Sequence, residues 1–204
     1  MKESAGDLRR DSPREAQPHG DLAAEALGNA ISEVEAAMSA LAAGMVDQLR
    51  KEAESLARNQ RQLGEETENA QNGQGEALRD KQEELNSGAE DLIEKIDQTA
   101  RSMGGFNENA TEDLLRGARE SRQNGLERSG KRAANSLLYE AYPQAKKEED
   151  KVAENLENLS DDLQSVADKL RNLGNKALQE LVQKLQKAQE DIPGMSGEEL
   201  KEKS

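Results

Sequence analysis

The 204-residue chain carries 42 acidic and 28 basic side chains, a formal charge of −14, and no Cys or Trp. Its Leu, Ile, Val and Phe residues number 34, about one residue in six, a level at which composition favours disorder and a wide core cannot be filled. These figures argue against a β-sandwich or an α/β enzyme, against disulfides, thiolate nucleophiles and Cys-held metals, against chemistry at the lone His19, and against binding nucleic acid phosphates without a local basic patch.

Residues 1–20 mix both charge signs with Pro13, Pro18 and Gly20 and read as a disordered lead-in. Asp21 is the expected N-cap of the first helix. From there the apolar positions are Leu27, Ile31, Val34, Met38, Leu41, Met45, Leu49, Ala53 and Leu56, then Gln60, Leu63, Thr67 and Ala70. Steps of three and four dominate, with two consecutive fours at Met45, Leu49 and Ala53, so the spacing predicts a heptad stripe with one stutter on a helix over 22–72. Asn72-Gly73-Gln74-Gly75 is the clearest break. A second stripe follows at Leu78, Gln82, Leu85, Ala89, Leu92, Ile96, Thr99 and Met103, ended by Gly104-Gly105. Residues 21–104 therefore read as a long helical hairpin broken near 73–75.

Residues 105–143 read as a short helical pair. Ala110, Leu114 and Leu115 suggest one helix, Gly117–Gly125 a polar, basic connection, and Leu126, Ala133, Leu137, Leu138 and Ala141 another helix ahead of Pro143. The strongest stripe lies within 144–192, at Val152, Leu156, Leu159, Leu163, Val166, Leu170, Leu173, Ala177, Leu181, Leu185, Ala188 and Ile192. Pro193-Gly194 ends it, and 193–204 is a short, charged, polar tail.

Composition thus favours disorder while periodicity favours amphipathic helices. Sustained 3.5-residue spacing outweighs composition, because a narrow seam between helices needs far fewer apolar residues than a wide interior. The expected fold class is all-α: long helices in antiparallel coiled-coil hairpins, with a disordered N-terminus and a polar C-terminal tail. The expected interaction residues are those of the last seam: Leu156, Leu159, Leu163, Val166, Leu170 and Leu173.

Several motifs invite chemistry. Gly125-Leu126-Glu127-Arg128-Ser129-Gly130-Lys131-Arg132 nearly spells a phosphate-binding loop, but Arg132 stands where a Mg²⁺-ligating hydroxyl is needed and no apolar strand precedes Gly125. Its glycines read instead as marks of a helix–helix connection. Arg116, Arg119, Arg122, Arg128, Lys131 and Arg132 form a basic island without interleaved aromatic residues. It is expected to dock on the chain's own acidic helix carrying Glu148, Glu149, Asp150, Glu154 and Glu157. Adjacent carboxylates such as Glu148-Glu149-Asp150 and Asp161-Asp162 read as solvated helix faces, since acid–base work needs a carboxyl with a shifted pKa in a pocket. Tyr139 and Tyr142 read as packing residues. No catalytic residue, cofactor or metal site is expected.

Ala57-Arg-Asn-Gln-Arg-Gln-Leu-Gly-Glu-Glu-Thr67, Leu78-Arg-Asp-Lys-Gln-Glu-Glu-Leu85, the Ala110, Leu114, Gly117 pattern and the returning Leu126, Ala133, Leu137 together resemble a class of large bacterial Glu/Gln/Leu-rich coiled-coil proteins. These are uncharacterised in function and often membrane-anchored. The resemblance covers about two thirds of the chain and implies architecture rather than activity; here the Gly117–Gly125 connection is longer than the class pattern and no anchor is seen.

Two function classes remain open. One is a non-enzymatic coiled-coil scaffold acting through helix–helix pairing, with a helical protein or itself as partner, no nucleic acid, and membranes reached only through a missing anchor or a partner. The other is a hydrophilic stress-protectant chain, disordered when dilute and helical on membrane contact or dehydration. Met1–Gly20 lacks a signal peptide's apolar core, and the longest apolar-biased run, Ala36–Val46, is too short to span a bilayer. A cytoplasmic location is expected.

Overall fold

A computed structural model describes the backbone of residues 13–191 and the side chains of 23–187. Within these residues the chain forms five helices and no strand: α1 (Pro13–Glu68), α2 (Gly75–Met103), α3 (Glu108–Gln123), α4 (Leu126–Leu138) and α5 (Tyr142–Asp191). The all-α reading holds. Residues 1–12 of the expected lead-in and the tail 193–204 lie outside the described residues.

The first helix begins earlier than expected. Residues 13–20 are helical, so Asp21 lies inside α1 and does not cap it. The next ends follow local chemistry. Gly73, at φ 91, adopts the left-handed conformation that glycine reaches without strain, and this closes the turn between α1 and α2. The Asn107 side chain accepts from the Ala110 N–H at 2.9 Å and caps α3. Gly125, at φ 82, separates α3 from α4.

The chain divides into two units, with α1 and α5 contributing to both: residues 41–171, and residues up to 40 together with those from 172 onward. In the 41–171 unit neighbouring helices run antiparallel. Along α1 and α5, Asp47 meets Arg171, Arg61 meets Glu157 and Thr67 meets Glu149. Along α1 and α2, Glu52 meets Lys95, Gln60 meets Gln82 and Glu66 meets Lys81. The helices α3 and α4 together make the fourth leg. They pack against α2 through Arg122–Asp97 and Gly130–Asn86, and against α5 through Lys169–Asp113 and Gly117–Leu159.

One apolar core fills the middle of this unit, with Val46 and Leu49 from α1, Leu92 and Ile96 from α2, Leu114 from α3, and Leu156, Leu159, Leu163, Val166 and Leu170 from α5. A smaller cluster of Leu63, Leu78, Leu137 and Ala145 closes one end. There the backbones approach closely: a Cβ on Gly75 would stand 2.3 Å from the Leu137 carbonyl oxygen. The Tyr142 hydroxyl donates to the Gln71 carbonyl at 2.9 Å. Tyr139, by contrast, is 80% exposed and packs on nothing, because α4 ends at Leu138 and the chain turns there.

The expected Gly117–Gly125 connection is a correction. Residues up to Gln123 belong to α3, and only Asn124 and Gly125 connect the two helices. The inward positions Ala110, Leu114, Gly117, Ala118 and Ser121 are all buried. Small residues replace leucines there, so the helical period continues without its apolar signature.

The other unit consists, among its described residues, of two helical segments only: the N-terminal part of α1 and the C-terminal part of α5. They touch through small residues. A Cβ on Gly174 would stand 3.4 Å from the Ala36 carbonyl oxygen and from the Ser39 Cβ.

Candidate interaction surface

Of the six residues expected to form the last seam, the structure brings five together. Leu156, Leu159, Leu163, Val166 and Leu170 are buried in the core of the 41–171 unit. They are consumed by intramolecular packing and offer nothing to a partner. Leu173 stays half-exposed in the other unit.

Large apolar side chains are left to solvent in both units: Leu41, Met45, Leu138 and Tyr139 in the 41–171 unit, and a longer stripe in the two-segment unit. On α1, Leu27 is 58% exposed, Ile31 50%, Val34 57% and Met38 43%. At 3.6 residues per turn these four side chains fall within a sector of about 60°. Ala36 and Ser39 are buried, and Gly28, Asn29 and Ser32 are half-buried. Taken together, Ser32, Ala36 and Ser39 lie about 140° around the helix from the stripe. The α1 segment therefore turns its small residues toward α5 and its large apolar residues away. On α5, Gly174 and Leu181 are buried and Ala177 is half-buried, whereas Leu178, Val182 and Leu185 on the adjoining flank are half-exposed. Ala23, Ala30 and Ala37 flank the α1 stripe, so another helix could approach it closely. Each half-exposed aliphatic side chain forgoes on the order of 1 kcal/mol of burial.

This surface lies outside the seam expected from the sequence, Leu156, Leu159, Leu163, Val166, Leu170 and Leu173. Spacing shows that Leu27, Ile31, Val34 and Met38 share a face; it does not show which side of the helix a neighbour will occupy.

The basic island is mostly engaged within its own helices or with α2. Arg116 pairs with Asp113 at 2.9 Å and Glu120 at 3.5 Å, Arg122 with Asp97 at 2.6 Å, and Lys131 with Glu127. Hydrogen bonding to Asp113 holds the Arg116 guanidinium above its ordinary pKa. Docking on the acidic segment of α5 is largely made by another residue. Arg61 of α1 reaches Glu157 at 2.9 Å and Asp150 at 3.4 Å, and from the island only Arg132 acts there, through its charge beside Glu148. Arg119 and Arg128 are exposed. Gly130, read as part of a connection, is inside α4, where a Cβ would stand 2.1 Å from Asn86 Oδ1. The Lys131 ammonium meets the Glu127 carboxylate of its own helix. A phosphate cradle is not the use of this segment.

Glu148 and Glu149, expected on a solvated face, are buried. Counting back from Val152 by three and then four gives Glu149 and Ala145, so Glu149 takes a core position of the α5 stripe. Burial pushes its carboxyl up to about 7, against the hydrogen bond from the Thr67 hydroxyl at 2.9 Å and the nearby Lys146 charge. Burial also pushes Glu148 up, but hydrogen bonds from Lys151 at 2.7 Å and from Ser129 outweigh it and hold that carboxyl below its ordinary value. Nearby, Gln60 and Gln82 exchange two hydrogen bonds of 2.8 and 3.0 Å while fully buried. A cavity of about 240 Å³ opens over Ala89, Ile93, Leu126 and Val152. Two carboxylates on its rim, Asp97 and Glu127, are already paired with Arg122 and Lys131.

Among the described residues no group of three or more His, Cys, Asp or Glu side chains is placed to hold a metal ion, and no helix is long and apolar enough to cross a membrane. Comparison with family models, with curated proteins and with solved structures finds no match to this chain.

Proposed function

We propose that the chain is a non-enzymatic scaffold or interaction protein that works by pairing helices, with the large apolar side of α1 at Leu27, Ile31, Val34 and Met38 as its contact surface. One observation carries this reading: in that segment the helix buries alanine and serine against α5 and leaves four large aliphatic side chains outside. A helix burying only small residues gains little from its own fold, and an exposed apolar stripe of this kind is what a helix-in-groove or helix-on-helix contact uses. The core of the 41–171 unit supports the reading from the other side. Its leucines Leu92, Leu114, Leu156, Leu159, Leu163 and Leu170 are buried within it. The cytoplasmic location expected from the sequence goes with this reading and is checked by cell fractionation.

A photo-crosslinking residue at Val34 in the full chain in cells tests it. Adducts to one discrete protein species are expected at Val34 and not at the neighbouring exposed Glu33. If Val34 gives no adduct while the chain is present and helical, the pairing reading fails. The competing stress-protectant behaviour would show as a coil signal in far-UV circular dichroism of dilute protein, turning helical only with lipid or on drying.

A further inference from the structure

The cavity of about 240 Å³ opens between α2, the α3–α4 turn and α5, wholly within the 41–171 unit. We propose that it is a binding site for a small primary ammonium ion carrying an apolar body. The site is separate from the α1 stripe and does not depend on pairing there.

The floor sets the apolar half of the ligand. It is built from Ala89 and Ile93 of α2, Leu126 of α4 and Val152 of α5, all four buried among the helices. None of these side chains has a polar atom, so water resting on them lacks the two to four partners that would hold it there. Ala89 occupies a position in the α2 stripe that Leu78 and Leu92 fill with larger side chains. An apolar cavity of roughly 150 Å³ holds a benzene ring, so this one admits a ring with a two-carbon arm.

The rim sets the sign of its charge. Glu90, Glu94 and Asp97 of α2 and Glu127 of α4 stand on it, and Arg122 is the one cation that lines it. Asp97 holds Arg122 at 2.6 Å, and Lys131 lies against Glu127. With both cations counted against the four carboxylates, a net charge of −2 is left, carried by Glu90 and Glu94. Glu94 accepts from the neutral Gln98 amide at 3.1 Å. Glu90 acts on Lys131 through its charge alone, and less than Glu127 does. Neither joins an ion pair among the described residues. At i and i+4 of one helix their Cβ atoms are about 6 Å apart, so one ammonium group can sit between the two carboxylates while its apolar arm enters the cavity. An anion of the same shape meets like charge at the same place.

The probe is the 2-phenylethylammonium ion, with 3-phenylpropionate as its anionic counterpart and ethylammonium as a cation without the apolar body. Titrating the full chain at low salt and following methyl signals by NMR should give saturable shifts at Ile93, Leu126 and Val152. The expected dissociation constant is on the order of 1 mM or below, with both comparison ions about 10-fold weaker or worse. Glu90→Gln with Glu94→Gln, both at exposed positions, leaves the cavity and removes the charge. It should weaken the probe on the order of 5-fold and narrow the gap to 3-phenylpropionate. Ala89→Leu fills the floor and should abolish binding with helicity retained; if that variant loses its helical signal, the Gln pair decides. The proposal is overturned by the absence of a saturable shift up to about 10 mM probe, by cation and anion binding alike, or by the Gln pair binding as the native chain does. Shifts confined to residues away from the cavity overturn it too.

Discussion

The buried Glu149 makes the stability of the fold depend on pH in a direction opposite to that of most carboxylates. Its side chain is fully buried, the Thr67 hydroxyl donates to one oxygen at 2.9 Å, and the other oxygen, Oε2, has no hydrogen-bond partner. Burial raises the carboxyl from 4.5 to about 7 in the folded chain. Below pH 4.5 the group is protonated in both folded and unfolded chains and exacts no penalty. Between 4.5 and 7 the unfolded chain ionises while the folded chain holds its proton, so stability falls as pH rises. Above 7 both are ionised and the loss is complete. The gap of about 2.5 pH units, at 1.36 kcal/mol each, makes that loss about 3 kcal/mol. Glu149→Gln keeps an acceptor for Thr67 and cannot ionise. Urea unfolding followed by circular dichroism at pH 5, 6, 7 and 8 should therefore show the variant gaining on the native chain as pH rises. The expected advantage is about 2–3 kcal/mol at pH 8 and little at pH 5. Using the difference between the two chains cancels the other carboxylates, including Glu148 and Asp113, which paired bases hold below their ordinary values. A difference that stays flat from pH 5 to pH 8, or a variant less stable than the native chain at pH 8, would refute the reasoning.

Three further outcomes follow from the packing. Leu163→Asp combined with Leu170→Asp places two unpaired charges in the core, where both leucines are buried, and should cost more than about 5 kcal/mol and abolish the cooperative helical signal; retained helicity would contradict the placement of these residues. Gly75→Ala should destabilise by about 1–3 kcal/mol in thermal melts, because the new Cβ would press on the Leu137 carbonyl oxygen, a backbone atom that cannot turn aside. Gln60→Leu alone should cost about 1–3 kcal/mol by stranding the Gln82 amide, while Gln60→Leu with Gln82→Leu should be close to neutral; equal costs for the single and double variants would show that the buried amides are not coupled.

Much of the fold could be read from residue spacing. The stripes at Leu78–Met103 and Val152–Leu170 face inward as four–three alternation requires, and the glycines near 73–75 and 125 mark real turns. Spacing worked there because each helix meets neighbours over a wide arc, so any face rich in leucine is covered. It failed where the inward residues are small. Gly117, Ala118 and Ser121 carry α3 through what reads as a loop, because a polar surface hid a continuous inner face. It failed again at Glu148 and Glu149, where a carboxylate stands in a core position whose phase was visible only by extending the stripe backward from Val152. It failed as well at Asp21, a good cap by type, because residues 13–20 are already helical and Asp21 lies inside α1.

The candidate surface was legible in composition and hidden in orientation. Leu27, Ile31, Val34 and Met38 have the spacing of a seam, and a seam needs a second helix. Within the two-segment unit the only other described helix is α5, and it is met by Ala36, Ser39 and Gly174. Small residues allow the two backbones to come close, which favours contact on that side whatever the opposite side carries. The large side chains then cannot also reach α5, because on one helix a face and its opposite cannot touch the same straight neighbour. On the proposed reading, the sequence of this segment encodes two helix contacts on two sides, one made within the chain and one left for a partner.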